Sequence, residues 1–130
     1  MTSRPKPSTV VFAKDIVRLA DFYAQVIGMT VVHSDRDHVV LDEEGFQLVI
    51  HGIPAQIAEQ IVITVPPALR EDMPIKFCLP VQSIQAARDK AHELGGAVLP
   101  ADRAWIARGF RACDGHDPEG NIFQVREPAA

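Results

Sequence analysis

The chain has 130 residues, 47% of them hydrophobic, and a formal net charge of −4. That is enough apolar material for one domain with its own core and too much for a disordered chain. The acidic balance, without a block of Lys and Arg, argues against nucleic acid as a partner. No apolar stretch approaches the roughly 20 residues of a membrane span, so no membrane role is expected. Residues 1–8 are polar and Pro-rich and read as a frayed tail without an apolar leader, hence an expected cytoplasmic location. Cys78 and Cys113 sit in separate apolar runs and read as free, buried thiols.

In chain order, Thr9-Val10-Val11-Phe12-Ala13 is β-branched and aromatic, which predicts a first strand. Asp15 suits an N-cap. Ile16, Leu19, Ala20, Tyr23, Val26 and Ile27 then recur at helical spacing, and Gly28 supplies a stop. Strands are predicted over 29–33, 38–41 and 46–51, separated by the turns Asp35-Arg36-Asp37 and Asp42-Glu43-Glu44-Gly45. Residues 53–74 form a Pro-rich crossover, with a helical turn over 55–60 and a strand over 61–65. A strand over 75–81, a helix capped by Ser83 and stopped by Gly95-Gly96, and strands starting at 97, near 109–113 and at 122–126 complete the reading.

The chain repeats itself. Asp15 through Gly28 is echoed at the same spacing by Ser83 through Gly96, and Asp42-Glu43-Glu44-Gly45 by Asp117-Pro118-Glu119-Gly120. The unit is βαβββ, used twice, over 8–52 and 75–127. This predicts one α+β domain, two tandem modules forming a curved mixed sheet around a cleft.

The segments Lys14-Asp15-Ile16, Asp21-Phe22-Tyr23, Ile27-Gly28-Met29 and Asp117-Pro118-Glu119-Gly120-Asn121 resemble the vicinal oxygen chelate superfamily over about residues 8–127. That superfamily includes glyoxalase I, bleomycin resistance proteins and extradiol dioxygenases. The resemblance implies a U-shaped cleft. In the metal enzymes, side chains from the first and last strand of each module bind a divalent ion there. Carried onto this chain, those positions hold Ser8, Val49, Lys76 and Gln124. Such metals favour His nitrogen and carboxylate oxygen. No metal and no other cofactor is therefore expected.

With those positions turned to the cleft, as the resemblance implies, strand alternation brings Ser8, Val10, Phe12, Gln47, Val49, His51, Lys76, Cys78, Ile122, Gln124 and Arg126 to it. Trp105, Phe110 and Arg111 fall near its cover. The ligand-binding candidates are Ser8, Phe12, Gln47, His51, Lys76, Trp105, Arg111 and Gln124. Lys76 suits an acidic or carbonyl-bearing ligand, or else an internal ion pair; His51 lacks evident partners. The other histidines read as exposed or loop-bound, and none has the i, i+4 spacing of a helical metal pair. No catalytic residue is assigned. Three readings stay open: a metal-free homodimeric binder of a small organic molecule, favoured by the poor ligand set; a lyase, isomerase or dioxygenase with an atypical site; and a regulatory module with an empty cleft.

Overall fold

The computed structural model describes residues 4–129. The first half runs β1 (Ser8–Ala13), α1 (Ile16–Ile27), β2 (Thr30–Ser34), β3 (His38–Glu43) and β4 (Phe46–Gly52). Asp15 caps α1 by accepting from the Arg18 N–H at 3.0 Å, and Gly28 closes it at φ 88°, where a side chain would be strained. The four strands form one sheet in the order β1-β4-β3-β2, with β1 parallel to β4 and the other pairs antiparallel. The expected N-terminal tail is held from Lys6 onward: Lys6 pairs with Asp42 at 2.8 Å, Pro7 accepts from the Gln47 N–H, and Ser8 already belongs to β1. Residues 1–3 of that tail lie outside the described residues.

The crossover carries a short α2 (Ala55–Ala58) but no strand over 61–65. Val62 and Val65 are exposed there, and Pro66-Pro67 follow immediately, removing two ladder donors. The segment instead runs against the second half, where the Arg70 N–H donates to the Gly120 carbonyl at 3.0 Å. A Cβ on Gly120 would meet the Ala68 carbonyl oxygen at 2.1 Å, so only glycine admits this approach.

The second half contains β5 (Phe77–Pro80), α3 (Ile84–Glu93), β6 (Ala97–Val98), a 3-10 turn (Ala101–Arg103), β7 (Trp105–Ala107), β8 (Phe110–His116) and β9 (Ile122–Pro128). β5 is shorter than expected and leaves Lys76 just before it. β7 was not foreseen. Both β6 and β7 pair antiparallel with β8. They correspond to the single β2 of the first half, interrupted at Pro100 and the 3-10 turn. The βαβββ order thus holds twice, with β5-β9-β8-β6 as the second sheet and β5 parallel to β9.

One apolar core joins the halves. Leu19, Phe22, Tyr23, Leu41, Leu48, Ile50, Leu79, Phe123 and Val125 are all essentially inaccessible to solvent. The Phe22 and Tyr23 rings of α1 lie 5.9 and 5.8 Å from Phe123 of β9, and Tyr23 is also 5.8 Å from Phe77 of β5. Each such buried side chain contributes about 1.5–3 kcal/mol. The Asp117–Asn121 turn fastens the same junction. Buried Asp117 accepts from the Tyr23 hydroxyl at 2.7 Å, and also from the Glu119 and Asn121 N–H groups. Buried Glu119 accepts from the Lys14 and Asp15 N–H groups, each at 2.8 Å, at the start of α1. Burial pushes both the Asp117 carboxyl and the Tyr23 hydroxyl up; hydrogen bonds from Tyr23 and Asn121 pull Asp117 part of the way back.

Candidate functional site

With one face of each sheet against the helices and core, the two-residue strand period turns the alternate side chains the other way. On the first sheet Ser8 pairs with Gln47, Val10 with Val49 and Phe12 with His51, while Val40 and His38 continue the rows onto β3. Ser8, Phe12, Gln47 and His51 are therefore brought together as expected. Phe12 is 58% and Val10 49% exposed, so this face is open and partly apolar. Gln47 donates to Asp42 at 3.2 Å, and the Lys6 ammonium, then the Gln47 amide, lower the Asp42 carboxyl below its ordinary range.

His51 is not isolated, contrary to its sequence reading. Its ring lies 5.6 Å from Phe12 and stacks on His38 at 5.9 Å and 19°. His33 sits 4.8 Å from His38 in turn. Asp35 bridges these two, at 2.8 Å from His33 Nε2 and 3.2 Å from His38 Nδ1. A search for helical histidine spacing misses this grouping. The signal is instead a pair flanking a tight turn with an aspartate inside it.

On the second sheet Cys78, Gln124 and Asp114 stand side by side across β5, β9 and β8. Lys76 Nζ contacts Asp114 at 2.8 Å, and the Gln124 amide donates to the same carboxylate at 3.3 Å. Gln124 Oε1 accepts from Arg126 Nε at 2.7 Å. The Arg126 guanidinium also reaches Cys78 Sγ at 3.2 Å and covers the Phe110 ring at 4.4 Å. Cys113 is buried, but Cys78 is only half-buried because of this exposed edge. Trp105 joins the same face by pairing with Ala112. Arg111 does not. It pairs with Ile106 and Glu127, one residue out of phase, and so turns to the opposite face from Gln124.

Of the family's ligand positions, Ser8 and Val49 lie on the first sheet's face, and Lys76 and Gln124 belong to the second half. Val49 has no donor atom, Lys76 carries an ammonium, and the Gln124 oxygen already serves a guanidinium. A cavity of about 580 Å³ opens beside Lys76, lined by second-half and crossover residues. Leu69, Met73 and Ile122 give it apolar walls, and Arg70, Lys76 and Arg103 bring cations to it. Asp114 and Glu71 are its carboxylates, the first already paired with Lys76. Sequence reading missed Arg70 and Arg103, since neither lies on a predicted strand. His116 also lines the cavity and contacts the Asp117 carbonyl through Nδ1 at 3.1 Å, the loop role expected of it.

The two βαβββ halves and the buried turn that joins them set the terms of comparison. A family profile described as a glyoxalase-like domain matches residues 8–126. The chain belongs to that family. Its place in the vicinal oxygen chelate superfamily accords with solved structures of the same fold. A glyoxalase/bleomycin resistance protein/dioxygenase family enzyme from Burkholderia phytofirmans PsJN superposes with TM-score 0.67 at 18% identity, over 94% of this chain and 97% of that one. A glyoxalase/bleomycin resistance protein from Albidiferax ferrireducens T118 gives 0.67 at 16%, over 95% and 98%. The fosfomycin resistance protein FosX of Listeria monocytogenes gives 0.65 at 13%, over 100% and 94%. At these identities the likeness of the glyoxalase-like domain to them is one of fold. No functionally curated protein matches it in sequence. Among the described residues no helix is long and apolar enough to cross a membrane.

Proposed function

We propose that this glyoxalase-like domain binds a small organic anion beside Lys76, without a divalent ion at the family's ligand positions, and works as a homodimer. The observation that carries the reading is the chain Lys76–Asp114–Gln124–Arg126. It puts the Lys76 ammonium at one of the family's second-half positions and the Arg126 guanidinium against the other, Gln124, with the Asp114 carboxylate between them. A divalent ion there would meet two cations, a Gln124 oxygen already in use, and a carboxylate already paired with Lys76. A carboxylate, phosphate or phosphonate meets two cations against that one carboxylate. The cavity volume lies within the range of small-molecule sites, and its apolar walls suit an organic body behind the anionic group. The ion pair with Asp114 favours Lys76 as an anchoring cation over a catalytic base. Dimerisation is supported by the exposed Val10 and Phe12, an apolar face for which a second copy is the occupant proposed.

Calorimetric titration with a panel of aryl and alkyl carboxylates and phosphonates tests the ligand reading. At least one should bind equally with and without EDTA, and Lys76→Gln should weaken it about tenfold, or about 1.4 kcal/mol. Binding that appears only on addition of a divalent ion, or is unchanged in Lys76→Gln, would overturn it. Light scattering tests the dimer: a mass of one chain at micromolar concentration would refute it, and Phe12→Asp should shift a dimer toward monomer.

A further inference from the structure

The β2–β3 hairpin gathers three metal-type donors outside the family's ligand positions. We propose that it is a site for a first-row transition-metal dication, tested as Zn²⁺, held by His33 Nε2, the Asp35 carboxylate and His38 Nδ1. These ligand atoms all lie within 4.8 Å of one another. Donors around a tetrahedral zinc at about 2.0–2.1 Å are roughly 3.4 Å apart. The 2.8 and 3.2 Å contacts from the two Asp35 oxygens to the imidazoles lie a few tenths of an ångström inside that edge, while the widest spacing of the group, within 4.8 Å, closes by side-chain rotation to meet it.

Local structure prepares the site. Asp35 Oδ1 accepts from the Asp37 and His38 N–H groups at 2.8 and 3.0 Å, which fixes the carboxylate across the turn. The Asp35 N–H donates to the His38 carbonyl at 3.0 Å, closing the loop from its other side. His33 and His38 come from two paired strands, with His33 opposite Val40 and so diagonal to His38 on one face. The His38 ring is supported from behind by the stacked His51. His51 Nδ1 lies 2.9 Å from the Gly52 carbonyl, an oxygen that can only accept, which leaves its Nε2 facing away from that bond.

The donor chemistry selects the ion. Two imidazoles and one carboxylate suit zinc and its neighbours, whereas magnesium and calcium want oxygen alone. Three protein donors on an exposed hairpin leave the fourth position to water or to a ligand atom from outside. Arg36 and Asp37 in the same turn are exposed and of opposite charge. This ion is separate from the family's ligand positions, so the site does not depend on the ligand reading above.

The test uses the full chain stripped with chelator and titrated with Zn²⁺ by calorimetry, with Co²⁺ as a visible probe. Expected are one Zn²⁺ per chain and tetrahedral Co²⁺ absorption. His33→Ala and His38→Ala should each weaken Zn²⁺ at least tenfold, while His92→Ala, an exposed helix residue, should leave it unchanged. In the unsubstituted protein, Zn²⁺ should also shift the NMR ring signals of His33 and His38, a readout independent of any variant's folding. Failure to bind Zn²⁺ stoichiometrically would overturn the proposal. Stoichiometric Zn²⁺ retained in a His33→Ala/His38→Ala double variant, or ring signals that do not move, would do so equally. Carboxylate or phosphonate binding measured in that double variant separates the two readings, since the anion site should survive loss of this one.

Discussion

Glu119→Gln probes the junction of the halves most directly. The Glu119 carboxylate, 4% exposed, takes one N–H from Lys14 and one from Asp15, both at 2.8 Å. Glutamine is nearly isosteric but keeps one acceptor oxygen and places an NH₂ against the other N–H. One charge-assisted hydrogen bond is lost, about 1.5–3 kcal/mol. The anion at the start of α1 is lost too, about 0.3–1 kcal/mol. The expected cost is about 3 kcal/mol. For a domain of this size that lowers Tm by roughly 10 °C. Urea unfolding should show a lower midpoint with an unchanged slope. Asp15→Ala, which removes the separate cap on the Arg18 N–H, should cost about 1 kcal/mol, and because the Asp15 N–H is itself bound by Glu119 the double change should depart from the sum of the two. A loss below about 0.5 kcal/mol for Glu119→Gln would refute the view that this carboxylate fastens the second half to the first helix.

Tyr23→Phe should cost about 1.5–3 kcal/mol in the same urea assay, because it removes the hydroxyl from a buried carboxyl. Tyr23 is the only tyrosine, and its hydroxyl is raised well above its ordinary value by burial and then by Asp117. An acid raised on folding stabilises the fold below its unfolded value and loses that contribution as pH rises through the folded one. Absorbance near 295 nm should therefore show no phenolate at about pH 10, the ordinary tyrosine value, and should rise together with alkaline unfolding. Gly115→Ala would place a Cβ 2.5 Å from the Ala97 carbonyl oxygen and 2.9 Å from the Phe123 ring. Overpacking of this kind costs about 1–3 kcal/mol, read as a lower Tm, and an unchanged Tm would mean that β6 can move away from β8 at no cost.

How far the chain could be read depends on the range of the interactions involved. α1 was legible because its cap, its apolar stripe and its stop are all local: Asp15, Leu19 to Ile27, Gly28. The rows Ser8–Phe12 and Gln47–His51 followed from the two-residue period once the family resemblance set which face meets the cleft. β7 was not legible, because Trp105–Ala107 is held by its pairing with β8 and the preceding Pro100 hides it in a loop pattern. Residues 61–65 erred the other way. Their β-branched side chains favour a strand, but no edge accepts them. Arg111 could be placed only near the cleft's cover, because the phase of the strand around Gly109 is not set by local pattern; pairing turns it away from Gln124. Arg70 and Arg103 reach the cavity through the path of the crossover and the break in the second-half strand, which no local pattern encodes. The His33–Asp35–His38 group lay in plain view, but only strand pairing makes its members neighbours.

The Asp117–Asn121 turn gives the clearest mark of family, and its side chains explain why that mark says little about chemistry. Asp117 and Glu119 are buried and spend their oxygens on Tyr23, on the turn's own N–H groups and on the entry to α1. Gly120 is required by the crossover backbone beside it. The contacts to Tyr23, Lys14 and Asp15 join the modules, and the rest hold the turn and the crossover in place. The junction therefore requires these side chains whatever the open faces carry. Val49, Lys76 and the hairpin imidazoles stand on those faces, apart from the contacts that hold the fold by which the chain is identified.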